Sequence, residues 1–364
     1  MNAPNFDIFC RVVDNYGDAG VCWRLARQLA TLGCGTRLWI DDLSVLARLA
    51  PEVDPAHELQ SIQGVQIGAW HAAKHAQAPA QGVVIEAFAC DLPPGYADTM
   101  ATRDCLWINL EYLSAESWVE GCHGLPSLQA SGIPKYFFFP GFSPATGGLL
   151  REGDLSIRRQ QAQAQDRRTR LQALTGLPAH ELPAPGLVML LFCYPDAPWA
   201  GLQAALAQRD TPTWLLTPGA APSGLCSQGS LRVLPIPFVP QARFDELLWC
   251  CDLNFVRGED SLVRALWTGS PLVWQIYRQA DDAHLDKLDA WLGRAHWPAP
   301  ARALTRAWNR RDNAGVQQAL PQALAADAWS AWQSRSREWS QELSGYADLA
   351  QNLLNFCQNR RRKS

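Results

Sequence analysis

Asp252-Leu253-Asn254-Phe255-Val256, then Arg257-Gly258-Glu259-Asp260-Ser261, then Leu262-Val263-Arg264-Ala265-Leu266-Trp267 and the close Gly269-Ser270-Pro271: this stretch decides the fold. Its first five residues have the short, apolar character of a buried strand. After the polar loop, Leu262, Val263, Leu266 and Trp267 recur at helical spacing. Ser261 or Asp260 can cap that helix, Gly269 suits its left-handed end and Pro271 bars its continuation. The pattern predicts a strand, a tight loop and a helix whose first amides point beyond the carboxyl edge of a sheet. Unsatisfied N–H groups and the helix dipole make such an end attractive to anions, phosphates above all. Gly258 lets a ligand approach the backbone, and Arg257 offers a charged fork for phosphate oxygens. An ordinary capped β–α turn would use the same residues, and the stretch alone serves both readings equally.

The same alternation extends on either side. Leu187 to Tyr194, Thr213 to Leu216, Leu231 to Leu234, Leu253 to Val256 and Leu272 to Tyr277 read as strands. Helices fall between them at Trp199 to Ala207, Gln241 to Trp249, Ser261 to Thr268 and His284 to Leu292. Earlier, a strand at Phe6 to Val13 leads into Asp14-Asn15-Tyr16-Gly17-Asp18-Ala19-Gly20 and a helix from Val21 to Leu32. Thr36 to Ile40, Val83 to Phe88 and Leu106 to Leu110 follow as strands, with a helical stretch at Leu43 to Leu49. Alternating strands and helices predict α/β domains with parallel sheets covered on both faces. Ligands in such folds bind beyond the carboxyl ends of the strands, so the loops after Val13, Phe88 and Leu110 are candidate site walls. The segment 153–186 reads as a linker, polar around Arg158 and punctuated by Leu182-Pro183-Ala184-Pro185-Gly186. It divides a first domain at 1–152 from a second at 187–344, and the helical end at 345–364 is expected to pack back on the first. Two such doubly wound domains would face a central cleft.

Composition narrows the class. The 364 residues are 48% apolar and carry a net charge of −3, which suits packed cores and gives no electrostatic case for nucleic acid. The basic run Arg360 to Lys363 reads as a solvated end, and Met1 to Asn5 shows no signal pattern. Leu187 to Tyr194, the longest apolar run, is too short to span a bilayer. The eleven cysteines show no metal-ligand spacing and several sit in apolar runs, as thiols of a reducing cytoplasm do. The sixteen tryptophans fall mostly at core-like positions.

Several familiar sites are absent: GxGxxG after a strand, the GxxxxGK[ST] loop, HExxH, GxSxG, and any Asp-x-Asp pair that would hold a divalent ion against a diphosphate. A diphosphate bound here would therefore be answered by amides and Arg257. Asp14 and Asp18 lie four apart across a Gly-containing turn at the end of the first strand, where both carboxylates can face one site. The structural alternative makes Asp18 a cap for the helix at Val21, worth about 1 kcal/mol, with Asp14 bonded within the turn. Phe192, Tyr194, Phe238 and Phe244 offer aromatic faces at sheet edges that suit a nucleobase or a core. Gln241 suits a base edge or a helix cap.

Asp14-Asn-Tyr-Gly-Asp18 with the helix from Val21, Glu111-Tyr-Leu-Ser-Ala-Glu116, Pro134-Lys-Tyr-Phe-Phe-Phe-Pro-Gly141 with Thr146-Gly-Gly-Leu-Leu150, and Arg257-Gly-Glu-Asp-Ser-Leu-Val-Arg-Ala265 together resemble the bacterial elongation factor P arginine rhamnosyltransferases. The resemblance runs from Phe6 to about Leu354. It implies a GT-B arrangement of two Rossmann-like domains. It also implies transfer of L-rhamnose from dTDP-β-L-rhamnose to an arginine of elongation factor P, with inversion and without a metal or other cofactor. By the same resemblance, Phe192, Tyr194, Phe238, Gln241 and Phe244 contact thymidine, while Arg257, Gly258, Glu259, Asp260 and Ser261 meet the sugar and diphosphate. Asp14, Asp18 and Glu259 are the implied catalytic residues, with Asp18 the favoured base. Two other readings share the anion loop: a GT-B glycosyltransferase with a small or lipid acceptor, and a non-catalytic nucleotide-regulated adaptor. The absence of a basic amphipathic membrane face counts against a lipid acceptor.

Overall fold

Strands form where apolar and β-branched residues run together, and helices where apolar residues return every three or four positions. A computed structural model describes residues 4–14, 16–75, 82–93, 95–101, 105–279 and 282–361. The chain forms two units, one within residues 1–152 and 346–364, the other within 153–345.

The first unit holds strands β1 (Asn5–Cys10), β2 (Thr36–Ile40), β3 (Leu59–Ile62), β4 (Val65–Ala69), β5 (Gly82–Ala87), β6 (Leu106–Leu110), β7 (Pro126–Leu128) and β8 (Pro134–Phe138). They form one sheet in the order β3-β4-β2-β1-β5-β6-β8-β7. Only the edge strands β3 and β7 pair antiparallel. β1 lies between β2 and β5, with Phe6 opposite both Thr36 and Val83. Residues on both faces of these central strands are buried, as a parallel sheet covered by helices requires. The helix Gly17–Thr31 lays Cys22, Leu25 and Leu29 on one face. The helix Leu349–Arg361 adds Leu349, Leu353 and Cys357 to that same core. The Gln28 amide ties the two segments, donating to the Arg151 carbonyl at 2.8 Å and to Asp348 at 2.7 Å. On the opposite face Phe9, Trp39, Tyr96 and Trp107 belong to a second core cluster, and the buried Asp7 accepts from Arg37 and from the Tyr96 hydroxyl.

The second unit holds β9 (Leu187–Leu191), β10 (Thr213–Pro218), β11 (Leu231–Ile236), β12 (Leu253–Arg257) and β13 (Leu272–Gln275), all parallel, in the order β11-β10-β9-β12-β13. In both sheets the first strand is central and the order reverses beside it, between β1 and β5 and between β9 and β12. At such switch points the loops on neighbouring strands diverge and leave a crevice. Trp291 packs against Trp274, Trp297 and Trp339, so several of the tryptophans form one core cluster.

The expected linker 153–186 is not an independent connector. It contains the helices Leu155–Gln163 and Arg167–Thr175 and belongs to the second unit. Arg167 grips Asp252 with both guanidinium nitrogens, at 3.0 and 2.7 Å, and Arg159 donates to the Trp267 carbonyl at 2.8 Å. These arginines anchor the segment to the second unit.

Candidate functional site

The chemistry-bearing residues gather at the two switch points. In the first unit, β1 ends at Cys10, sooner than expected, because the Asp18 carboxylate takes the backbone that follows. Its Oδ2 accepts the Val13 N–H at 2.9 Å and the Asp14 N–H at 2.8 Å. The helix consequently begins at Gly17, before Val21, with Tyr16 at the cap position and no side-chain cap. Asp18 is thus not the helix cap that its spacing suggested; it lies inside the first turn and folds the preceding loop over itself. Asp14, 9% exposed, places its carboxylate against Gly17, where a Cβ would come within 2.5 Å of Oδ2. Asn15, the residue between them in the sequence motif, lies outside the described residues.

Asp18 is 3% exposed, and burial pushes its carboxyl above the ordinary aspartate value, with the N–H groups of Asp14 and Val13 pulling the other way. The turn therefore presents a carboxylate more basic than one in water. The loop after β5, across the switch point, holds Phe88, Ala89 and Asp91 in the left-handed region. Phe88 stacks on Tyr112 with centroids 4.5 Å apart, and the Ala89 N–H is taken by Asn109 at 3.1 Å. Non-glycine residues in that conformation concentrate at functional loops. Sequence reading carried the strand through Phe88 and gave no sign of this bend.

In the second unit, Phe192 and Tyr194 follow β9, and Arg257 to Ser261 follow β12. The Arg257 guanidinium carbon stands 4.8 Å from the centroids of both the Phe192 and Tyr194 rings. Phe244 packs against Phe192 at 5.3 Å and is buried, while Phe238 is 37% exposed. Gln241, at the start of its helix, makes no cap; its amide donates to Asp260 at 2.9 Å. The Gly258 backbone is left-handed at φ 63°, which favours glycine there. Glu259 pairs with Lys287 at 3.4 Å.

The helix after this loop spans Asp260–Leu266, and neither Asp260 nor Ser261 caps it. The Ser261 hydroxyl instead turns back, donating to the Arg257 carbonyl and accepting the Arg257 N–H at 3.1 Å. With only seven helical residues the dipole is modest, so Arg257 carries most of the positive character of the loop. Lys287, Tyr277 and Trp274 escaped sequence reading. Tyr277 meets Tyr194 edge-on at 5.9 Å, and the Trp274 indole donates to the Gly258 carbonyl at 2.8 Å. The one signal for Trp274 and Tyr277 was position, at or just past the end of an apolar strand, and Lys287, inside the helix Ala283–Ala295, had none. Among the described residues no three His, Cys, Asp or Glu side chains are grouped to hold a metal ion, and no helix is long and apolar enough to cross a membrane.

The family model described as Elongation-Factor P (EF-P) rhamnosyltransferase EarP matches residues 6–358. A protein-arginine rhamnosyltransferase of Pseudomonas putida is 45% identical over 97% of this chain and 98% of its own length. One of Pseudomonas aeruginosa is 44% identical over the same shares. A solved structure that addresses EarP-mediated arginine glycosylation of translation elongation factor EF-P is 33% identical, with a TM-score of 0.66 over 98% of this chain and 99% of that one. The two parallel-sheet units are those of an α/β fold, as the alternation of strands and helices predicted, and of the GT-B class, as the family resemblance implied.

Proposed function

As the chain belongs to the EarP family of elongation factor P rhamnosyltransferases and is a protein-arginine rhamnosyltransferase, we propose that it moves L-rhamnose from dTDP-β-L-rhamnose to an arginine of elongation factor P, inverting the anomeric carbon without a metal. The observation that carries the donor half is Arg257 standing over two aromatic faces at the switch point of the second sheet. Phe192 and Tyr194, with Phe244 packed on Phe192 and with Phe238 and Gln241 on the segment that leads into the Phe244 helix, supply the apolar faces and amide that a thymine needs. Arg257, Gly258, Asp260 and Ser261 take the diphosphate and sugar, and Glu259, held by Lys287, is oriented toward the sugar.

The acceptor half rests on the acidic turn. A guanidinium is protonated with a pKa above about 12, and holding it neutral at pH 7 would cost about 8 kcal/mol. A carboxylate cannot remove that proton beforehand. Asp14 and Asp18 instead grip the arginine and loosen conjugation at one nitrogen. As the N–C bond to the anomeric carbon forms, the C–O bond to the diphosphate breaks, the proton passes to Asp18 and the negative charge leaves with dTDP. Arg257 meets that charge as it develops. The raised basicity of Asp18 favours the transfer.

Partners are accordingly dTDP-rhamnose and elongation factor P, with no role for nucleic acid or membrane. Cytoplasmic residence suits the eleven free thiols. Intact-mass analysis of elongation factor P after incubation with dTDP-rhamnose and excess EDTA tests the reading. A gain of one deoxyhexose with an α-linked product by NMR supports it. A gain that requires another nucleotide sugar or added metal, or no gain at all, overturns the respective part.

A further inference from the structure

Two loops from different strands meet in the proposed donor site, where Arg257 of one stands over Phe192 and Tyr194 of the other. Both loops are also bonded to the end of a third strand. Gln275, the last residue of β13, is 5% exposed. Its side-chain oxygen accepts the Tyr194 N–H at 2.8 Å, and its side-chain nitrogen donates to Asp196 at 3.1 Å. Its backbone carbonyl accepts the Gly258 N–H at 3.1 Å, and the register pairs Gln275 with Arg257 itself. One residue thus bonds the loop after β9 twice and the loop after β12 once.

The end of β13 is itself held rigidly. Asn309 donates to the Trp274 carbonyl at 2.7 Å and accepts the Ile276 N–H at 3.0 Å, bracketing Gln275. The Trp274 indole then fixes the Gly258 carbonyl from the core side, so both backbone polar groups of Gly258 are engaged by β13. Asp196 is anchored in turn by Arg311. A buried amide with all these partners cannot swing without leaving polar groups unsatisfied.

We propose that Gln275 is the positioning residue of the donor site, fixing the Tyr194 and Gly258 loops in register so that Arg257 stands over both aromatic rings. The inference rests on the donor-site reading given above. An amide is the group required, because one end must accept a backbone N–H while the other donates to a carboxylate. The charged and titratable groups around it are Asp196, Arg311, Arg257, Cys193 and Tyr277.

Calorimetric titration of the full chain with dTDP, at about pH 7.5 and about pH 5.5, tests this. Gln275→Glu keeps the acceptor for Tyr194 but sets a second carboxylate against Asp196, which raises the pKa of the pair. At the higher pH it is expected to bind dTDP about tenfold more weakly than the parent, and at the lower pH to recover to within about threefold, since a protonated carboxyl donates again. A purely structural lesion would not reverse with pH. Gln275→Leu should be weak at both pH values, and Asp196→Ala, at an exposed and tolerant position, about threefold weaker. Parent-like affinity of Gln275→Glu at the higher pH, or a loss that persists at the lower, overturns the proposal; if Gln275→Leu does not fold, the other two variants decide. Arg257→Ala run alongside separates the failures. Should it bind dTDP as the parent does, the donor-site reading falls; should it lose dTDP while Gln275→Glu does not, only this inference falls.

Discussion

Asp18 concentrates the conflict between stability and chemistry in a single side chain. Its carboxyl is more basic than a free aspartate because burial penalises the charge. The sign follows from linkage: folding favours the protonated form, so this group's contribution to stability is complete below the unfolded pKa near about 4 and is lost as pH rises through the higher folded value. Ionising this carboxyl in the native state therefore works against stability, a cost that the proposed reaction requires. Asp18→Asn keeps an oxygen for the Val13 and Asp14 amides and removes that charge. Its melting temperature at neutral pH is expected to equal or exceed the parent's, while kcat falls about 10³-fold and the KM for the donor stays put. Calorimetry and steady-state kinetics on the same samples check this; a matched loss in kcat and donor affinity would assign Asp18 to binding. In the parent, kcat should fall on the acid side at a pH above that of an ordinary aspartate. For Arg257→Ala the loss should appear in dTDP affinity, by about 10- to 100-fold, with elongation factor P binding retained. Loss of protein binding instead would reverse the assignment of the two domains.

At the scale of elements, two glycines show how the same substitution diverges with what it meets. Gly17→Ala opens a helix and brings a Cβ within 2.5 Å of the Asp14 carboxylate, the movable end of a side chain. Stability should hardly change, since alanine favours the helix by up to about 1 kcal/mol, yet turnover should fall about tenfold as Asp14 is displaced. Gly201→Ala lies within the helix Trp199–Ala207, where the added carbon would overlap the carbonyl of Asn313 at the head of the helix Asn313–Ala323. Backbone cannot yield as a side chain does, so a loss of about 2 to 3 kcal/mol is expected despite the better helix propensity, read as a melting temperature several degrees lower. The helix Trp199–Ala207 and the strands Thr36–Ile40 and Leu106–Leu110 were legible residue for residue, because their apolar periods are uninterrupted. The edge strands Leu59–Ile62 and Pro126–Leu128 were not, being short and half exposed, with little pattern to read. Local patterns also misplaced the starts of the helices at Gly17 and Asp260. Asp18 and Ser261 have the chemistry of caps, but each bonds backbone that precedes its helix, a choice made by tertiary packing. The acid pair and the cationic loop were visible as residue types; Lys287, Tyr277 and the left-handed bend at Phe88 were not, since each depends on which elements become neighbours.

The whole molecule is interleaved along the chain: the first unit is finished by residues that follow the second. Leu349, Ala350, Leu353, Leu354 and Cys357 are buried against the helix Gly17–Thr31 and the sheet beneath it, and Gln28 is bonded to Asp348. Burying large apolar side chains stabilises by about 1.5 to 3 kcal/mol each, an upper value because unfolded chains are partly compact. Summed over that helix, the contribution is comparable to the net stability of about 5 to 15 kcal/mol of an ordinary domain. Removing residues 346–364 should therefore unfold the first unit while leaving the second, whose core holds none of the deleted residues, able to bind dTDP. Scanning calorimetry should lose one transition and keep another that still shifts upward with dTDP, since a ligand raises the melting temperature only of the state that binds it. Rhamnosyl transfer should be abolished, because Asp14 and Asp18 lie on the lost unit. A truncated chain that kept transfer, or one that lost dTDP binding together with the first unit, would show that stability and donor recognition are not divided between the units in this way.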